Sequence, residues 1–232
     1  MLIDITFNFY SDSNGGDPDL KSPTLRRYHK FIWSRQLPNG EFFTLNSKPA
    51  SNYLSYHSES VSFSLGSDAI VHSYKNQKRK QWLIRQMDIS EVNELKDLGS
   101  TIGGYVLFPN KKIDNKYSIN QARGVIKQID DRFDLTLECI RLYYLGESSP
   151  LYETFLRYKH FFDLFVNFNG YCKFFLLQDI LDESGNIKFY LPFDGFSKPP
   201  NFGGVEDYMN YKKNVMNFII ARNERMRELS IE

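Results

Sequence analysis

Two stretches of this sequence gather the residue types that polar chemistry needs. The first is Arg26, Arg27, Tyr28, His29 and Lys30, followed by Trp33 and Arg35. On about three turns of helix, guanidinium forks can grip pairs of phosphate oxygens, and the Trp33 indole can stack on a base. The same spacing also suits a solvated basic face anchored to a core by Tyr28 and Trp33. The second stretch is Asn120, Arg123, Asp131, Asp134, Glu138 and Arg141. Spacings of three, four and three put Asp131, Asp134, Glu138 and Arg141 on one stripe of a helix. Those three carboxylates could coordinate a divalent cation or supply a general base beside an anion-holding arginine. A row of exposed ion pairs, each contributing a few tenths of a kcal/mol, has the same signature. The two stretches become a site only if they face one cleft.

Other motifs carry less. Thr101 to Gly104 ends in two glycines but lacks the lysine of a phosphate loop and leads into a strand, so close backbone approach is the expected reason. His29, His57, His72 and His160 have no metal-ligand spacing, although His57 and His72 could meet across a hairpin. No Gly-x-Ser-x-Gly elbow occurs, and neither cysteine has a convincing basic partner to activate it, so nucleophilic hydrolysis is not expected.

The elements that must position these residues follow from patterning. A chain of 232 residues with 41% hydrophobic side chains, 20 Phe and 15 Tyr can build one sizeable core. The 29 basic and 28 acidic residues nearly cancel, so nucleic acid could be held only by a local patch. Two cysteines, Cys139 and Cys172, outside any CxxC spacing, point to reduced buried thiols in a cytosolic protein. No apolar run is long enough to span a bilayer, and the first residues do not read as a signal peptide.

Alternation over residues 2–9 predicts an opening strand. Ser22 and Pro23 predict a helix start, with Leu25, Tyr28 and Ile32 facing inward. Strands are expected at 41–45, twice within 53–74, at 101–108 and at 187–193. Helices are expected at 90–98, 131–145, from Ser149 to about Phe168, at 171–181 and at 205–229. In the 131–145 helix, Phe133, Leu137, Ile140 and Tyr144 should be buried, with Asp131 and Asp134 at least partly accessible. Strands early and helices late make this an α+β fold: a mostly antiparallel N-terminal sheet (1–110) with a helical C-terminal half (111–232) packed on it, as a single domain.

Several stretches together resemble a family of bacterial proteins catalogued only as a domain of unknown function. They are Ser22 to Lys30 with Trp33 and Ser34, Thr101 to Gly104 with Phe108 and Pro109, Asn120 with Arg123 and Gly124, Asp131 to Arg141, and Phe174 to Asp179. The resemblance spans most of the chain and implies a bacterial or phage-borne cytosolic protein, but brings no activity or catalytic residue.

Two functions are therefore expected from the residues. One is binding or processing of a phosphate-bearing ligand, nucleotide or nucleic acid. Arg26, Arg27, His29, Lys30, Trp33, Asn120, Arg123 and Arg141 would bind it, and Asp131, Asp134 and Glu138 would be catalytic with or without a divalent cation. A toxin or phage-defence effector would suit that class. The alternative is a non-catalytic interaction or scaffold protein that uses the C-terminal helix, at its Tyr208 and Tyr211 edge, for self-association or partner docking.

Overall fold

Local signals of capping and periodicity place most of the secondary structure. The computed structural model describes residues 1–47 and 53–229. Its helices are α1 (Pro18–Lys21), α2 (Pro23–Trp33), α3 (Gln81–Ile84), α4 (Ile89–Gly99), α5 (Ile119–Val125), α6 (Phe133–Leu145), α7 (Tyr152–Arg157), α8 (Lys159–Asp163), α9 (Phe168–Phe174) and α10 (Val205–Leu229). Strands β1 (Leu45–Ser47), β2 (Leu54–His57), β3 (Ser62–Ala69) and β4 (Tyr105–Pro109) form an antiparallel sheet in the order β1-β2-β3-β4. The fold is α+β, with its sheet in the N-terminal half and most of its helices in the other. No helix among the described residues is long and apolar enough to cross a membrane.

α2 starts as its sequence dictates. Pro23 occupies the first turn and Ser22 Oγ accepts from the Leu25 N–H (3.0 Å). Leu25, Tyr28, Ile32 and Trp33 are buried. α6 stops where Gly146 turns left-handed (φ +73°), which a residue without Cβ adopts freely.

Gly103 and Gly104 explain the double glycine. A Cβ on Gly103 would stand 2.7 Å from Asn223 Oδ1 and 2.9 Å from the Ile219 carbonyl, and one on Gly104 would strike the Gly99 backbone. Close approach of α10 and α4 is the reason for the motif.

Several expectations are corrected. Residues 2–9 form no strand: Ile3 and Phe9 are buried, but the Phe9 N–H donates to the Ser100 carbonyl and Asp4 N–H to the Tyr28 hydroxyl, with a turn at Thr6. Residues 187–193 are irregular beyond a single Leu181–Ile187 bridge, because Tyr190 N–H is taken by the Asp134 carboxylate (2.9 Å) and its carbonyl by Asn214. The expected strand at 41–45 shrinks to a Gln36–Phe42 bridge before β1. The 131–145 helix begins two residues late because Asp131 is left-handed. The helix expected from Ser149 is divided at Tyr158 into α7 and α8. The one expected at 171–181 ends at Phe174, before left-handed Leu176.

Phe133, Leu137 and Ile140 are fully buried and Tyr144 half-buried. Cys139 and Cys172 are free and buried, and burial pushes the Cys139 thiol up to about 12 and raises Cys172 also. A thiol reagent should therefore label neither cysteine in native protein and both once denaturant is added; labelling of either without unfolding would contradict this packing.

Candidate functional site

The end of β3 is where polar side chains from four elements meet. Ser67 and Asp68 lie side by side on β3, in register with Leu107 and Val106 of β4. Against them packs α1, whose N-cap Asp17 accepts from the Asp19 N–H and which carries Asp19. Ser67 and the Ala69 N–H favour the charged form of the Asp19 carboxyl, against the effect of burial. From α5, Asn120 Nδ2 donates to the Ser67 carbonyl (3.4 Å), and Arg123 reaches the same place. The Arg123 guanidinium pairs with Asp68, donates through Nε to Thr136 Oγ1 (3.0 Å) and contacts the Asp131 carbonyl (3.4 Å). Just past the strand, His72 Nε2 stands 3.8 Å from Asp131 Oδ2.

Behind this group the hydrogen-bond order is fixed. The Trp33 indole N–H donates to His29 Nδ1 (2.9 Å), so the His29 proton sits on Nε2 and is given to Ser67 Oγ (3.0 Å). His29 is fully buried, and desolvation, reinforced by the Arg222 charge, holds it down to about 3. With Nδ1 already occupied and Nε2 protonated, His29 cannot take a proton from Ser67, which excludes a serine–histidine nucleophile here.

Three carboxyl groups, those of Asp17, Asp19 and Asp68, line a cleft of about 700 Å³. Burial pushes Asp19 up to about 6, and Asp17 adds to the shift. Asp68 goes to about 7 through burial first and then the charges of Asp19 and Asp131, with Arg123 opposing. Burial and the Arg123 charge lower His72, which Asp131 partly restores. Among the described residues Asp19 Oδ1, His72 Nε2 and Asn120 Oδ1, all buried atoms, have no hydrogen-bond partner. Tyr74 (φ +58°), Asp130 (φ +51°) and Asp131 (φ +61°) are left-handed, a concentration of strain typical of sites that hold a side chain in a required place. Tyr10, Tyr105, Lys75 and Lys96 complete the walls, with Lys96 Nζ 4.6 Å from the Tyr10 ring centre.

These shifts have a signed consequence. The folded state holds the Asp19 proton more tightly than the unfolded chain, so ionising it costs stability as pH rises from 3.8 to about 6. His29 acts oppositely, withdrawing stability as pH falls below 6.5. Comparing wild type with Asp19→Asn isolates the carboxyl. Between about pH 4 and about pH 7 the variant should gain on wild type, with a slope of at most about 1.4 kcal/mol per pH unit in urea titrations. A difference that does not vary with pH would show an unperturbed Asp19.

The residues expected from spacing are dispersed. His29 and Trp33 are fully buried, so the Trp33 indole offers no face for a base. Arg26 donates to the Leu20 carbonyl (3.2 Å), beside Asp19 but outside the cleft wall, while Arg27 and Lys30 are exposed. Arg123 is engaged by Asp68 and by Asp131, and Asn120 touches Ser67. The stripe itself separates. Asp131 turns toward His72, whereas Asp134, expected to be accessible, is fully buried, pairs with Arg132 and accepts from Tyr190 N–H. A buried carboxylate needs that cation, and Arg132 lies two residues before it rather than one helical turn away. Glu138 and Arg141 form a bidentate pair (2.8 Å for each bond). Among the described residues no group of three or more His, Cys, Asp or Glu is arranged to hold a metal ion. Tyr208 and Tyr211 are buried and donate to the Ser73 and His72 carbonyls, so the expected docking edge is used inside the chain. His57 bonds Ser62 at the far end of β3 and does not meet His72.

Asp19, Ser67, Asp68, Lys75 and Lys96 were not singled out by spacing, because they come together only through tertiary pairing. One signal was present: Asp68 interrupts a β-prone run in which a carboxylate is out of place.

No curated protein and no solved structure matches the chain. The model of a family of unknown function, DUF6994, matches residues 3–226. Nearly the whole chain is covered, and the protein belongs to that family.

Proposed function

We propose that the cleft between β3 and the loop before α1 is an active site in which Asp19 and Asp68 work as a carboxyl pair on a phosphate-bearing ligand of nucleotide size. The observation that carries this is two carboxyl groups from separate elements on the floor of one cleft, both raised toward neutrality by burial first, Asp19 further by Asp17 and Asp68 further by Asp19 and Asp131. Its volume of about 700 Å³ suits a small organic ligand. Lys75 and Lys96 on the wall supply charge for phosphate oxygens. At neutral pH Asp19, the more acidic of the two, takes a proton from the attacking water. Asp68, still protonated in part, gives one to the leaving oxygen as the phosphorus–oxygen bond breaks. A divalent cation would enter by displacing those protons, completing its shell from phosphate oxygens and water, as magnesium commonly does. A bacterial cytosolic effector of the toxin or phage-defence kind would be a fitting setting, with both thiols reduced.

The test is a panel of nucleotides and oligonucleotides at low salt, with and without divalent cation. Asp19→Asn should cut turnover by about 100-fold or more while leaving binding nearly intact, and Lys96→Gln should weaken binding by about tenfold. Binding of no panel member, or full turnover by Asp19→Asn, would overturn the reading. Turnover only with cation would keep the same two carboxylates and change their role from proton carriers to cation ligands.

A further inference from the structure

A second pocket of about 670 Å³ opens on residues that the acidic cleft does not use, between the turn after α2 and the start of α9. Arg35, Leu37, Pro38, Phe165, Val166 and Lys173 line it. Arg35 stands over the Phe174 ring (4.8 Å to the centre) and the Trp33 ring (5.4 Å), and its Nη2 donates to the Phe174 carbonyl. Its Nε is buried and has no acceptor. Among the described residues neither Arg35 nor Lys173 has a carboxylate within ion-pair distance. Arg35, desolvated and without a carboxylate, carries a cost that an anion would relieve, and exposed Lys173 adds a second positive charge to the same pocket.

The backbone here is also tightly set. Val166 is left-handed (φ +68°), which is strained for a β-branched residue. A Cβ on Gly170 would collide with the Phe165 carbonyl and reach Pro38 Cγ at 3.2 Å. Asn167 caps α9 through its side-chain oxygen (2.9 Å to Gly170 N), which leaves its amide N–H groups for the pocket mouth.

We propose that this pocket binds the dianionic phosphate of a small phosphate monoester. The Arg35 edge and Lys173 Nζ take the phosphate oxygens, and Leu37, Pro38 and Val166 receive the apolar part of the ester. Two positive charges with no acidic neighbour match a dianion, whereas a carboxylate would leave one charge uncompensated. The pocket shares no residue with the acidic cleft, so the two readings stand or fall separately.

Trp33 reports on Arg35 directly. The chain has 2 Trp, and replacing half-exposed Trp82 by Phe leaves Trp33 as the only indole. Phenyl phosphate should then perturb Trp33 emission with an affinity of about 1 mM or tighter, and inorganic phosphate about tenfold more weakly. Lys173→Gln should weaken both by about tenfold at unchanged melting temperature, and Arg35→Lys by at least as much. Lys173 is exposed, so its variant remains informative even if Arg35→Lys fails to fold. Asp19→Asn and Lys96→Gln should leave this titration unchanged; a change would move the binding to the cleft and overturn the assignment. No response to either phosphate at about 10 mM, or equal affinity of folded Lys173→Gln, would also overturn it. Benzoate binding as tightly as phenyl phosphate would reject the phosphate assignment.

Discussion

Arg123→Met should destabilise the protein by about 3–5 kcal/mol, the usual cost of breaking a buried ion pair from one side. Arg123 is fully buried, flanked by the Phe108 and Phe133 rings, and answers Asp68, Thr136 and Asp131 at once. Methionine fills much of the space and keeps the aromatic contacts, so the loss reports the charge and hydrogen bonds rather than a cavity. The effect should depend on pH. With Arg123 present, Asp68 already sits up at about 7; without it, burial and the neighbouring carboxylates push Asp68 higher still. The penalty should then be larger at about pH 8, where Asp68 must ionise, than at about pH 5, where it stays protonated. Adding Asp68→Asn to Arg123→Met should return part of the loss, because the stranded carboxylate is gone. Urea titrations of the two single variants and the double variant decide it. A loss below about 1 kcal/mol at pH 8 would mean that Arg123 does not neutralise the pair.

What the sequence disclosed was local, and what it hid was pairing between distant elements. Ser22 and Pro23 announced α2, Gly146 ended α6, and the apolar face of α10 was readable, because caps and periodicity act within one or two turns. The alternation of residues 2–9 correctly marked Ile3 and Phe9 as buried, yet a segment that turns at Thr6 and hydrogen-bonds to Ser100 and Tyr28 can bury alternate residues as a strand does. Residues 187–193 failed for a related reason: the partner of Tyr190 N–H is a side chain, Asp134, which no strand pattern signals. The same carboxylate undid the exposed stripe. Helical spacing put Asp134 with Glu138, while Arg132 lies just outside the helix and drew Asp134 inward. The site itself joins Asp19, Asp68, His72 and Asp131 across more than a hundred residues of chain, and only Asp131 lay in a stretch whose composition suggested chemistry.

Arg222→Met should be the other severe change, about 3–5 kcal/mol, although Arg222 has no carboxylate partner among the described residues. From the C-terminal third of α10 it donates to three main-chain carbonyls: Gly103 (2.6 Å), Tyr105 (2.8 Å) and Phe175 (3.1 Å). Removing it leaves buried carbonyls unanswered, at about 1–3 kcal/mol each, with some return from no longer burying a charge whose pKa desolvation brings down to about 9. Arg222→Lys should recover only part, since one ammonium on a flexible stem cannot reproduce a planar fork aimed at three acceptors. Asn223 alongside accepts from Gly103 N–H (2.7 Å) and donates to Thr101 Oγ1 (2.8 Å), so α10 fastens the backbone that enters β4. β4 in turn sets Asp68 opposite Val106. Hydrogen exchange should therefore show Arg222→Met loosening Tyr105–Pro109 and β3 more than α7 and α8, which hold none of the three carbonyls that Arg222 answers. Uniform loosening would assign Arg222 to general stability alone, whereas the local pattern would make it a positioning residue for the Asp19–Asp68 pair.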